Sequence, residues 1–175
     1  MLDRTVARIA AAGALLALAA AIAVFNSGSA PDPAGPRGEH FELALALDYV
    51  FMLGYGTLFL CWAKLQRSAA VAIVTVLVVL FDIAEDVLLL RPPSDALRLV
   101  WSIKWIAFAV LLALAAPLFL DRGRWRLIAY ALLVLSGAAA AVTIEHWACP
   151  VKAPGFVMIC AITPLAAATY SFLRR

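Results

Sequence analysis

Six long apolar runs, separated by short polar segments, organise this chain. The runs cover residues 9–25, 41–62, 69–90, 97–120, 125–144 and 154–173. About 20 mostly apolar residues are needed for a helix to cross about 30 Å of hydrocarbon, and each run reaches or nearly reaches that length. The runs are too long for strands and do not alternate between apolar and polar positions. The pattern therefore predicts an all-α integral membrane bundle of six transmembrane helices.

The composition agrees with a membrane protein. Hydrophobic residues make up 66% of the chain and charged residues 14%, and the mean hydropathy is +0.99. A soluble domain carries about a quarter of charged residues. Because the connections between runs are short, we expect residues 1–175 to form a single transmembrane domain with no soluble domain attached.

The basic residues indicate how the helices are oriented. If both termini are cytoplasmic, nine Lys and Arg residues fall on the inner side and four on the outer side. Cytoplasmic loops are enriched in these residues, so both termini are predicted to be cytoplasmic. The net charge of +3 then reflects topology, and we expect membrane lipids rather than nucleic acid as partners. The abundance of Ala, Leu and Val is typical of a GC-rich bacterium, which predicts a multipass protein of the bacterial inner membrane.

Three charged residues are expected at one depth of the membrane. At a rise of 1.5 Å per residue, Asp48, Asp82 and Lys104 lie about 10, 12 and 10 Å below the outer boundary. Consecutive antiparallel helices with short loops usually pack side by side. We therefore predict that the carboxylates of Asp48 and Asp82 come within salt-bridge or one-water reach of the Lys104 ammonium.

Each charge belongs to a helical face that carries further candidate residues. An ionisable side chain in the hydrocarbon costs about 2.5 to 3.5 kcal/mol on insertion scales, so a cluster of them is a hypothesis of function. Trp101 and Trp105 flank Lys104 and predict cation–π contacts. The candidate ligand-binding or proton-binding residues are Asp48, Asp82, Glu85, Asp86, Lys104, Tyr55, Trp101 and Trp105.

The balance of charge favours a site, although a structural role is the alternative. One lysine cannot neutralise several acids, and a carboxylate buried without a partner takes up a proton, binds a cation or borrows charge from a ligand. In the structural alternative, an ion pair with Lys104 fixes helix register. Glu85 and Asp86 would then reach the headgroups, where Arg91 or Arg98 could neutralise them.

A metal or other cofactor is not expected. Carboxylates on neighbouring helices suit a hard cation, but Lys104 at the same depth would repel it. The two histidines, His40 and His146, fall at the outer end of the bundle. No pattern identifies a catalytic residue.

Three segments resemble a known group of proteins. They are A-L-D-Y-V-F-M-L-G-Y from Ala46 to Tyr55, F-D-I-A-E-D-V-L-L-L-R from Phe81 to Arg91, and I-K-W from Ile103 to Trp105. The chain resembles a group of small bacterial multipass membrane proteins with D-x-x-F-x-x-x-Y, D-x-x-E-N-x-x-L-L and tryptophan-and-lysine helices. No function is assigned to that group, so the resemblance implies only that these positions form a unit. Asp86 stands where that pattern usually has Asn.

Three classes of function remain open. The leading hypothesis is a pocket, open toward the outer side, that binds a lipophilic or cationic ligand or protons. The second is a membrane-embedded enzyme that acts on a lipid or isoprenoid by carboxylate acid–base chemistry. The third is an accessory subunit of a membrane complex. A transporter built from inverted repeats would need matching charges in the last two helices, which this chain lacks unless a homo-oligomer supplies the second half.

Overall fold

The computed structural model describes residues 2–27, 41–91, 94–120, 126–145, 160–167 and 169, and this part of the chain is almost entirely helical. The helices are α1 (Leu2–Ser27), α2 (Phe41–Gln66), α3 (Ala69–Leu89), α4 (Asp95–Ala115), the short α5 (Pro117–Leu120) and α6 (Arg126–Glu145). Residues 160–167 and 169 are also helical, and we call them the C-terminal segment. The all-α prediction is confirmed.

Within the described part of the chain, three helices are long and apolar enough to cross a membrane. They are Arg4–Val24 within α1, Phe41–Gln66 and Asp95–Ala115. Helix α3 is as long as α4, at 21 residues, but its apolar sequence is interrupted by three acids in its second half. The apolar part of α6 is the shorter stretch Arg126–Ala141. These features suggest a membrane location for the chain.

Several observed helix ends differ from the predicted ones, and α2 continues to Gln66, four residues beyond the predicted end. Helix α1 begins at Leu2, ahead of the apolar run that starts at residue 9. The single helix predicted over residues 97–120 is wrong, because α4 ends at Ala115 and α5 begins at Pro117. Proline has no backbone N–H to continue the helical ladder, which explains the break. Of the predicted sixth helix, residues 154–159, 168 and 170–173 lie outside the described residues.

A tight turn joins α2 to α3. The N–H of Ser68 donates to the carbonyl of Ala63 at 2.9 Å and that of Arg67 to the carbonyl of Lys64 at 3.2 Å, the two bonds of a Schellman motif. Arg67 takes a φ of 55°, a conformation that glycine usually supplies. The Ser68 hydroxyl then accepts from the N–H of Val71 and caps α3. The turn sets α2 and α3 antiparallel and side by side.

Small residues bring α1 and α2 into close contact. Four alanines at helical spacing on α1 are completely buried: Ala7, Ala10, Ala14 and Ala17. A Cβ placed on Gly54 would lie 2.5 Å from the Ala17 backbone nitrogen and 2.7 Å from the Gly13 carbonyl oxygen. Small residues permit such backbone approach in membrane bundles. The backbones of α1 and α2 are therefore in close contact at Gly54.

An aromatic core lies between α2 and α4. The rings of Tyr55 and Phe59 each lie 6.4 Å from the ring of Phe108, in edge-on geometry. Such edge-to-face pairs add to the stabilisation that burial gives. The core positions the Tyr55 hydroxyl between α2 and α3, next to the charged residues.

A polar link joins α2 to the C-terminal segment. The indole N–H of Trp62 donates to the Thr169 hydroxyl at 2.9 Å, and that hydroxyl donates to the carbonyl of Leu165 at 2.8 Å. Trp62 and Thr169 are both buried. The C-terminal segment is thereby attached to α2, one helical turn beyond Phe59 and on the same face.

Candidate intramembrane ionic site

Lys104 bridges two acids of α3. Its ammonium lies 2.8 Å from Oδ1 of Asp82 and 2.5 Å from Oε2 of Glu85. Positions three apart on a helix share a face, so both acids point toward α4. All three residues are buried. The predicted approach of Asp82 to Lys104 is confirmed.

Tyr55 completes the surroundings of Asp82. The phenol hydroxyl donates to Oδ2 of Asp82 at 2.5 Å, while Lys104 donates to Oδ1. Hydrogen bonds to an ionised carboxylate are short and about twice as strong as neutral ones. Asp82 is thus bonded through both oxygens to two other helices, α2 and α4.

A second pair of acids lies beside this network. Asp86 is 0% exposed, and neither of its carboxylate oxygens accepts a hydrogen bond from the described residues. Its carboxyl group neighbours that of Asp48, and the two carboxyl groups act on each other electrostatically. Two neighbouring ionised carboxylates repel, whereas one proton shared between them forms a hydrogen bond. We call Asp48 and Asp86 the acid pair.

The buried acids change two points of the sequence interpretation. Lys104 forms its second salt bridge with Glu85 and not with Asp48. The structural alternative, in which Glu85 and Asp86 reach the headgroups, is contradicted because they are only 5% and 0% exposed. Positions i, i+3 and i+4 of a helix share one face, so both acids follow Asp82 into the interior.

The tryptophans flank Lys104 as predicted, but with different contacts. The Lys104 ammonium lies 5.7 Å from the centroid of the Trp105 ring, within cation–π range. Trp101 packs against Trp105, with ring centroids 6.0 Å apart. The indole N–H of Trp105 is buried and donates to no acceptor among the described residues. The Trp105 ring therefore contributes to the low-dielectric wall around the ammonium.

The sequence pattern predicts no specific role for Tyr49. It is 36% exposed, follows Asp48 on α2, and lies close enough to the acid pair for both carboxyl groups to act on it electrostatically. Asp48 is itself half-buried. The acid pair thus lies between the interior, where Asp86 is buried, and the molecular surface at Tyr49.

The described part of the site contains carboxyl groups, one ammonium and one phenol. Among the described residues, no group of three or more acidic, histidine or cysteine side chains is arranged to hold a metal ion. His40 and His146 lie outside the described residues. The Lys104 ammonium forms ion pairs with Asp82 and Glu85, and Asp48 and Asp86 lie beside them.

Comparison with known proteins adds no functional information. The chain matches no family model, no curated protein and no solved structure. The function is therefore argued from the buried cluster itself.

Proposed function

We propose that this protein is a six-span protein of the bacterial inner membrane, with both termini cytoplasmic, and that its acid pair binds a proton in the outer half of the membrane. We also propose that it belongs with the small multipass proteins that it resembles. One observation carries the functional proposal: Asp86 is fully buried and accepts no hydrogen bond among the described residues, although it neighbours a second carboxyl group, that of Asp48.

The neighbouring charges support a proton on the acid pair. The charges that act on Asp48 and Asp86 are those of Asp82, Glu85 and Lys104. Lys104 is already bonded to Asp82 and Glu85, so its charge is largely balanced. An ionised acid pair would add two negative charges at a depth where even one is costly. A shared proton removes one of these charges and supplies the missing hydrogen bond.

The two parts of the cluster have different roles in this proposal. Tyr55, Lys104 and Glu85 hold Asp82 in a fixed network, with every contact at hydrogen-bond or ion-pair distance. The acid pair has no such fixation and can gain or lose a proton without breaking an ion pair. Asp82 is therefore the scaffold of the site, and Asp48 with Asp86 is the proton-binding part.

Infrared spectroscopy of the purified protein in lipid nanodiscs tests the proposal. A protonated carboxylic acid has a C=O stretching band that carboxylates lack, and the band should disappear as the pH is raised. The variants Asp86→Asn and Asp48→Asn should lose this band. Glu42→Gln, which changes an exposed acid at the start of α2, is the matched control and should keep it. A wild-type spectrum without the band near neutral pH would refute the proposal.

A further inference from the structure

The Lys104 ammonium has more than one set of acids within its influence. It lies 2.8 Å from Oδ1 of Asp82 and 2.5 Å from Oε2 of Glu85, and its charge also acts on Asp48 and Asp86. A lysine ammonium is a compact charge on a flexible stem. The stem itself therefore does not fix which acids the ammonium contacts, and the surrounding side chains must do so.

The Tyr55 hydroxyl limits the ammonium on the side of α2. It donates to Oδ2 of Asp82, whereas Lys104 donates to Oδ1. Tyr55 is completely buried and its ring packs against that of Phe108 on α4, which holds the hydroxyl in place. The oxygen of Asp82 that faces α2 is thereby occupied, and Oδ1 is left to the ammonium.

Glu85 attracts the ammonium on the side of α4. Asp82 and Glu85 are three positions apart on α3 and share a face, and Lys104 forms an ion pair with each of them. Glu85 is 5% exposed, so its attraction for the ammonium is only weakly screened. Without the charge of Glu85, the ammonium would keep Asp82 as its partner, and the other carboxyl groups on which it acts are those of the acid pair.

We infer that Glu85 is the positioning residue of the proton site: it holds the Lys104 ammonium against Asp82 and away from the acid pair, and this separation lets the pair keep its proton. This role rests on the proposed function and concerns the regulation of the same site. The two ion-pair distances of Lys104 and the bond from Tyr55 to Asp82 support it.

The charges around the acid pair explain why the position of the ammonium matters. The described titratable groups that surround the pair are Tyr49 and Tyr55 on α2, Asp82 and Glu85 on α3, and Lys104 on α4. Among these groups, Lys104 alone carries a positive charge. A cation beside a carboxyl group favours its ionised form, so an ammonium that moved toward the pair would expel the shared proton to the solvent.

Glu85→Gln tests this role because it removes the attraction and leaves Lys104 its bond to Asp82. The infrared band of the protonated acid is followed against pH in lipid nanodiscs. At the pH at which half of the wild-type band remains, Glu85→Gln should retain about a tenth or less of its full band, which corresponds to a change of about one pH unit in the titration. Glu42→Gln, at an exposed acid, is the matched control and should retain half.

Glu85→Asp separates positioning from charge. Aspartate keeps the negative charge but has a shorter side chain, so it holds the ammonium less closely. At the same pH we expect a band between those of the wild type and Glu85→Gln. If Glu85 acted only through its charge, Glu85→Asp would match the wild type.

The outcomes separate this role from the proposed function. If the wild type shows the band, a Glu85→Gln variant without loss, or a Glu85→Asp variant equal to the wild type, overturns the positioning role and leaves the proton-binding proposal intact. If the wild type lacks the band, the proton-binding proposal fails, and the role of Glu85 fails with it.

Discussion

The hydroxyl of Tyr55 donates a 2.5 Å hydrogen bond to Asp82, a residue 27 positions later in the chain. This bond joins α2 to α3, and the bond from Lys104 to the other oxygen of Asp82 joins α3 to α4. Asp82 therefore holds three helices in register at one depth, and most of the predictions below depend on this arrangement.

Tyr55→Phe isolates the hydroxyl from the ring. The phenylalanine keeps the packing against Phe51 and Phe108 but leaves Oδ2 of Asp82 without its donor. We expect a loss of about 1 to 3 kcal/mol of stability, typical of a buried acceptor that loses its partner. Unfolding in detergent measures this loss, with Tyr130→Phe as the control on an exposed tyrosine. Equal stability of the two variants would contradict the structural role of the bond.

Lys104→Met should be the most destabilising change in the cluster. It leaves Asp82 and Glu85 buried without their cation, and removing one partner of a buried ion pair costs about 3 to 5 kcal/mol. The same unfolding measurement applies, with Lys64→Met as the control because Lys64 is exposed on α2. Adding Glu85→Gln to Lys104→Met should restore part of the loss. An undiminished loss in the double variant would count against the ion pair.

Asp82→Asn should lower the stability of the protein more than Asp86→Asn does. An asparagine at position 86 can donate its amide N–H to Asp48 in place of the shared proton, so we expect a loss of less than about 1 kcal/mol, the net value of a typical hydrogen bond. Asp82→Asn should cost about 1 to 3 kcal/mol, because it weakens two charged hydrogen bonds. Side-by-side thermal unfolding decides this, and greater damage from Asp86→Asn would show that the roles are reversed.

Gly54→Ala tests the contact between α1 and α2. The added methyl group would meet backbone atoms of Ala17 and Gly13 at 2.5 and 2.7 Å, so the helices must move apart, with a loss of about 1 to 3 kcal/mol. Gly137→Ala on α6 is the matched control, because nothing lies within 4 Å of its added Cβ. The control should be neutral or slightly stabilising through helix propensity. A neutral Gly54→Ala would disprove the close approach.

The proposed six-span topology predicts the location of both ends. Fusions of a reporter that is active only in the cytoplasm, placed after Arg175 and before Met1, should both be active in a bacterial host. A fusion in the segment 28–40 should be inactive. An inactive C-terminal fusion would show an odd number of spans and would move the acid pair to a different depth relative to the outer side.

The sequence predicted the architecture because the relevant signals are local. Apolar runs predicted the start of α2 and both ends of α3 to within a residue, and the rise per residue placed Asp82 level with Lys104. The break before Pro117 was not predicted because the apolar run continues through this residue. Hydropathy does not reflect that proline lacks a backbone N–H.

The pairing inside the site was harder to predict. Depth along each helix places Asp48 near Lys104, but the rotation of α3 decides which acid the lysine meets. Asp82, Glu85 and Asp86 share a face, and packing against two different helices divides them: Glu85 turns to α4 and Asp86 to α2. Which helix each acid faces depends on tertiary contacts. The spacing of residues along one helix carries no information about these contacts.

The link between Trp62 and Thr169 has a consequence for biosynthesis. The two residues are separated by 107 positions, so α2 enters the membrane long before the acceptor of its indole N–H has been translated. Until then the N–H must be satisfied by water or lipid at the membrane surface. The bond can form only when the C-terminal segment has left the ribosome. Packing of this segment against α2 is therefore a late event, after insertion, that a truncated nascent chain cannot complete.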